Sequence, residues 1–114
     1  MLERVVELLR SARIDLADEK QAQRDIETLL LGAGIKHVRE CRLTAKDVPD
    51  FMIDSLCVEV KLQGSKKQIY RQLVRYAKHS LVERILLVSC VSMGLPQQIE
   101  GKDTYLLKLG EAWL

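Results

Sequence analysis

Hydrophobic positions along the chain change period along its length. In "MLERVVELLR" the apolar residues Leu2, Val5, Val6 and Leu9 recur at helical spacing, which predicts a first helix from Leu2 to about Arg13. A second helical period covers about Asp18–Ala33, where Ala22, Ile26, Leu29, Leu30 and Ala33 fill one arc. Asp15 or Asp18 caps its start, and Gly32 and Gly34 end it. The period then shortens. Ile35–Leu43 reads as a strand with mixed alternation, and Phe51–Ile53 and Leu56–Leu62 as strands around an Asp54-Ser55 turn. Gly64-Ser65 leads into a third helix, about Ser65–Leu81, with Ile69, Tyr70, Leu73, Val74 and Ala77 toward the core. "RILLVSCV" reads as a central strand buried on both faces. "TAKDVP" is a loop, "SMGLPQQIEGKD" is mostly loop with room for a helical turn, and "TYLLKL" is a last strand before Trp113-Leu114. The order α-α-β-β-β-α-β-β predicts an α/β fold, a mixed sheet with helices on its faces.

The 114 residues suit one domain, 1–114, with a core that needs no disulfide or structural metal. Cys41, Cys57 and Cys90 are far apart and sit in apolar or strand-like contexts, as reduced core thiols do; no Cys/His spacing points to zinc. The amphipathic N-terminus is too charged for a signal peptide, and no apolar run is long enough to span a bilayer. These features predict a cytoplasmic protein with no membrane partner. A net charge of +2 excludes little, but its distribution is informative. Between Val60 and Val82 there is no acid, while Lys61, Lys66, Lys67, Arg71, Arg75 and Lys78 accumulate. Such a run is either a solvated helix face or a surface that meets phosphates.

"VPDFMIDSLCVEVKLQGSKK" places charges inside an otherwise buried strand, where an unpaired charge is costly. If Asp54-Ser55 is a two-residue turn, Ile53 pairs with Leu56 and Asp50 falls opposite Glu59, with Cβ atoms about 4.5–5.5 Å apart. Lys61 shares the Glu59 face, while Val60 points the other way into the core. Two such carboxylates repel unless a cation lies between them. Hard oxygen ligands with a lysine nearby suit Mg²⁺-assisted chemistry on a phosphodiester; the alternative is a cross-strand acid–lysine pair on a solvated face. On the second helix Glu19 lies within the apolar arc, Gln23 beside it and Glu27 outside. Glu19 either meets a polar group across the packing face or simply favours the helix start. On the third helix Gln72 and Tyr76 share a face and can hydrogen-bond a phosphate or a water; alternatively, Tyr76 is buried by its ring and Gln72 exposed.

Glu19 on a helix, Pro49-Asp50, Glu59-Val60-Lys61 and Gln72-x-x-x-Tyr76 together resemble the PD-(D/E)XK nuclease superfamily, the last being similar to the QxxxY signature of RecB-type members. The layout from about Asp18 to Ser89 looks most like the small VRR-NUC nucleases and is similar in outline to archaeal Holliday junction resolvases. The resemblance implies a restriction-endonuclease-like core, with the N-terminal helix as an unmatched addition that either packs on the domain or serves dimerisation. It implies Mg²⁺ or Mn²⁺ held by Asp50, Glu59 and the Val60 carbonyl, Lys61 acting on the water or the phosphate charge, Glu19 as a metal or water ligand, and Gln72 as an auxiliary site residue. No role for Glu40 follows.

The expected activity is divalent-metal-dependent hydrolysis of DNA phosphodiesters, selective for structure (a junction, flap or nicking site) rather than for sequence. Lys66, Lys67, Arg71, Arg75 and Tyr76 are the expected nucleic-acid contacts. A homodimer and a separate helicase or recombination protein are the expected partners, and no small-molecule cofactor is implied. The competing expectation is a module of the same fold that binds nucleic acid or another partner without cutting.

Overall fold

Two helices, α1 (Leu2–Arg10) and α2 (Glu19–Gly32), precede a hairpin-rich segment with β1 (Val38–Arg39), β2 (Phe51–Ile53) and β3 (Leu56–Lys61). Then come α3 (Lys66–Ala77), β4 (Arg84–Ser89), β5 (Gln98–Ile99) and β6 (Lys102–Lys108). The computed structural model describes residues 1–110, so Trp113-Leu114 lies outside the described residues. The strands form one open mixed sheet of six in the order β1-β2-β3-β4-β6-β5. β2 is antiparallel to β1 and β3, β4 runs parallel to both β3 and β6, and β5 is antiparallel to β6.

Alternation along β3 and β4 divides the core between the two faces of the sheet. On one face Val58, Val60, Leu86 and Val88 pack with Leu2, Val5 and Leu9 of α1 and Ala22, Ile26 and Leu30 of α2. On the other, Cys57, Ile85 and Leu87 pack with Ile69, Leu73, Tyr76 and Ala77 of α3. The N-terminal helix therefore spends its apolar side on the domain itself. β4 is buried along five of its six residues, as expected of a central strand.

The structure departs from the sequence expectations at element ends. α1 stops at Arg10 rather than near Arg13. The strand expected over Ile35–Leu43 shrinks to Val38–Arg39. Ile35 N–H still bonds Leu30 O to finish α2, and Glu40 takes φ 51°, which breaks the regular register although the amides of Glu40 and Cys41 still bond the carbonyls of Asp50 and Pro49. The supposed loop before the last strand contains β5, joined to β6 by Glu100-Gly101 with φ 52° and 75°. Paired positive φ values make the tight turn whose twist suits a hairpin. α3 ends at Ala77 rather than Leu81: its last amides shift to tighter bonds, Lys78 to Arg75 O and His79 to Tyr76 O. The Lys102 ammonium then donates to the carbonyls of His79 and Val82. Tyr70, expected on the core side of α3, is 40% exposed.

α2 begins where Asp18 accepts from the amides of Lys20 and Gln21, two of the donors a helix start leaves unpaired. Asp18→Ala is expected to lower stability by about 1 kcal/mol, read as a lower urea midpoint at unchanged slope. An unchanged midpoint would show that the cap contributes nothing.

Candidate functional site

β2 stops at Phe51 while β3 runs on to Lys61. The register Ile53↔Leu56, Met52↔Cys57, Phe51↔Val58 makes Asp50 and Glu59 the next opposed pair. Their side chains take over where the ladder ends. Asp50 N–H donates to Glu59 Oε1 at 3.1 Å, and Asp50 Oδ2 accepts from Val60 N–H at 2.8 Å. The N–H and C=O of one strand residue look to the same neighbour, so the Val60 carbonyl also lies on the edge of β3 that faces Asp50. The Val60 side chain points the other way, into the α1/α2 core. Lys61 Nζ is 3.5 Å from Glu59 Oε2.

Each flanking element adds a polar contact. From α2, Gln23 is 3% exposed and donates to Asp50 Oδ1 at 3.1 Å. One turn earlier Glu19 accepts from Leu62 N–H at 3.0 Å, so Glu19 does meet a polar group across the packing face. From α3, the Tyr76 hydroxyl donates to Glu59 Oε2 at 3.4 Å and accepts from Gln72 Nε2 at 2.8 Å. From β4, Ser89 Oγ donates to Lys61 O at 2.7 Å, joined by Cys90 N–H at 3.2 Å. These bonds fix the backbone from which the Lys61 side chain projects.

Glu59 is 2% exposed. Burial first, and then repulsion from Asp50, push its carboxyl up to about 8 against the pull of Lys61. Burial also raises Asp50, helped by the Glu19 charge and opposed by the Val60 amide and Lys61. Tyr76 is pushed well above its usual range by burial and by Glu59. The pair is thus short of positive charge. Its oxygens are hard donors, and each retains a lone pair beyond its hydrogen bond. Among the described residues no three His, Cys, Asp or Glu side chains converge on a metal position. Mg²⁺ binds through one or two carboxylates and keeps several waters, so Asp50, Glu59 and the Val60 carbonyl fit it as a two-carboxylate site. Glu19, tied to the Leu62 amide, sits at its rim.

The basic residues divide. Lys66, Lys67 and Arg71 are exposed on α3. Arg75 Nε is held at 3.0 Å by Asp47 Oδ1, whose other oxygen meets His79 Nε2 at 3.1 Å. The His79 bond first, and then Arg75, hold the Asp47 carboxyl below its usual range. Tyr76, expected among the nucleic-acid contacts, is 1% exposed and reaches Glu59 instead of solvent. Glu40 is exposed, its N–H donates to the Asp50 carbonyl at 2.8 Å, and its carboxylate lies 3.7 Å from Lys20 Nζ, so it borders the site without a contact to either acid's side chain. Sequence reasoning set Gln23 beside the apolar arc without giving it a role, and passed over Ser89 and Asp47. A hydroxyl inside the apolar run "RILLVSCV" and a glutamine beside an apolar arc were the available signals for the first two. Comparison of the chain with protein-family models, with curated proteins and with solved structures gave no match.

Because the folded-state value of Glu59 lies above its ordinary 4.5, folding favours the protonated form; that contribution is complete below pH 4.5 and is lost as pH rises through about 8. In EDTA, the stability of Glu59→Gln relative to wild type is therefore expected to rise steadily from pH 5 to pH 8.5, read from denaturant midpoints. A difference that stays flat with pH would contradict a buried, protonated Glu59.

Proposed function

We propose that the chain is a divalent-metal-dependent nuclease that hydrolyses DNA phosphodiesters, built on a restriction-endonuclease-like core. The observation that carries this reading is the opposition of Asp50 and Glu59 at the end of the β2–β3 ladder, with Lys61 Nζ 3.5 Å from Glu59. Asp50, Glu59 and the Val60 carbonyl would hold Mg²⁺ or Mn²⁺. The ion, when bound, supplies Lewis-acid polarisation of a phosphodiester oxygen. Lys61 donates to charge that builds on the scissile phosphate and orients the attacking water. Glu19 accepts a hydrogen bond from that water at the rim. Gln72 acts through Tyr76, which holds the Glu59 carboxyl in place. Lys66, Lys67, Arg71 and Arg75 bind backbone phosphates, contacts that position a strand and read no sequence. Selectivity then falls on the structure of the DNA rather than its sequence. A homodimer would present two such sites to two strands, with a helicase or recombination protein as companion. A monomeric mass by light scattering, with cleavage retained, would rule the dimer out.

A second reading has an observation of its own. All four carboxylate oxygens of Asp50 and Glu59 have partners within the protein, from Gln23, Val60, the Asp50 amide, Tyr76 and Lys61. A site so fully engaged suits a module that binds nucleic acid without cutting it.

Branched, flapped, single-stranded and duplex DNAs separate the two. The nuclease reading predicts cleavage with Mg²⁺ or Mn²⁺, none in EDTA, and about a hundredfold loss or more in Lys61→Ala with binding intact. Binding of every substrate without cleavage would favour the silent module. Arg71→Ala is expected to weaken DNA binding alike across sequences and to flatten the slope of log K against log salt by about 0.7–0.9. A loss confined to particular sequences would contradict phosphate contact.

A further inference from the structure

Beside Lys61 the surface opens into a cleft of about 380 Å³ between α3 and the turn that follows β3. Its lining includes Lys61, Gln63, Gln68, Arg71, Gln72 and Arg75. Gln68, Arg71, Gln72 and Arg75 lie three or four residues apart, so they form one stripe along the helix. The opposite wall is the Gln63-Gly64 turn, where Gly64 adopts φ 134°, a conformation that side chains rarely tolerate. The lining contains no acid.

Lys61, Gln72 and Arg75 are engaged with Glu59, Tyr76 and Asp47, and the other three polar side chains are unspent. The Arg71 guanidinium and the side-chain amides of Gln63 and Gln68 have no partner among the described residues. Arg75 is different: a buried carboxylate, Asp47, is committed to its Nε, which fixes the direction of a guanidinium that is half exposed at the cleft wall. Asp47 is itself pinned by Thr44 Oγ1 on its amide and by His79. A preset guanidinium beside a free one is an arrangement for a phosphate, whose oxygens accept from both. The side-chain amides ask for something more. Each offers donors and an acceptor, whereas a phosphate only accepts; the edge of a nucleobase presents both, and glutamine matches the adenine edge in two bonds. The volume lies at the small end of the ~300–1,000 Å³ typical of small-molecule sites, on the scale of one nucleotide.

We propose that this cleft binds a single nucleotide drawn out of base pairing, its phosphate on Arg71 and Arg75 and its base edge on Gln63 and Gln68. The inference rests on the nuclease reading for the neighbouring scissile phosphate, which the same strand would carry past Lys61. It narrows the substrate class: the strand that is cut arrives single or splayed, as at a flap, fork or frayed end, and not as closed duplex.

Calorimetric or NMR titration of the full chain in EDTA, with dAMP, deoxyadenosine and inorganic phosphate, tests the cleft without metal or cleavage. dAMP is expected to bind saturably and about tenfold or more tighter than either fragment. Arg71→Gln should narrow the advantage of dAMP over deoxyadenosine, and Gln68→Ala should narrow its advantage over phosphate. Both side chains are exposed, so folding is not at stake. dAMP binding no tighter than phosphate, or unchanged in both variants, would overturn the proposal. Loss of cleavage with dAMP binding kept would count against the nuclease alone; cleavage with no dAMP binding would count against the cleft alone.

Discussion

A hairpin that ends one strand early leaves main-chain donors that something else must satisfy, and here that something is a pair of like charges. Asp50 bonds the Val60 amide, and Glu59 bonds the Asp50 amide, so two carboxylates replace ladder bonds at the edge of β3. The bonds hold the acids together; burial and mutual repulsion work against their both being ionised. Gln23, Tyr76 and Lys61 gather on that pair from α2, α3 and β3.

Every layer of the fold contributes to holding the pair. α2 is anchored by its Asp18 cap and sends Gln23 to Asp50 and Glu19 to the Leu62 amide. α3 sends Tyr76 across the other sheet face to Glu59, and Gln72 fixes the hydroxyl. β4 holds the Lys61 carbonyl through Ser89. Because β3 is buried on both faces, these contacts come from rigid elements rather than from loops. The stripe of α3 that faces solvent carries the cations, so the same helix that steadies Glu59 from within presents Arg71 and Arg75 outside.

Much of this was legible in the sequence wherever two levels of pattern agreed. The opposition of Asp50 and Glu59 followed from counting back from the Asp54-Ser55 turn, and Asp54 indeed adopts φ 52°. The apolar arcs of α1 and α2 pointed to the face they occupy. Tyr76 was harder to place, because period alone cannot tell a border residue from one drawn inward by a buried acid. The end of α3 depended on a long-range partner, Lys102 reaching the carbonyls that follow it, and most of the Ile35–Leu43 strand gave way to local bonds, the Pro49 and Asp47 carbonyls taking the amides of Cys41 and Leu43. Nothing in the local pattern singled out the Asp47 carboxylate. The Asp47 amide is held locally by Thr44, but the carboxylate is directed by Arg75 and His79, far along the chain.

The proposed nuclease activity requires that Asp50 and Glu59 take up a hard divalent cation. Calorimetric titration of Mn²⁺ into EDTA-stripped wild-type protein and Asp50→Asn tests it most directly. The account predicts saturable binding at one site in wild type, weakened about tenfold or more in the variant. No saturable binding in wild type, or equal binding in both, would contradict it and leave the pair a structural substitute for missing ladder bonds.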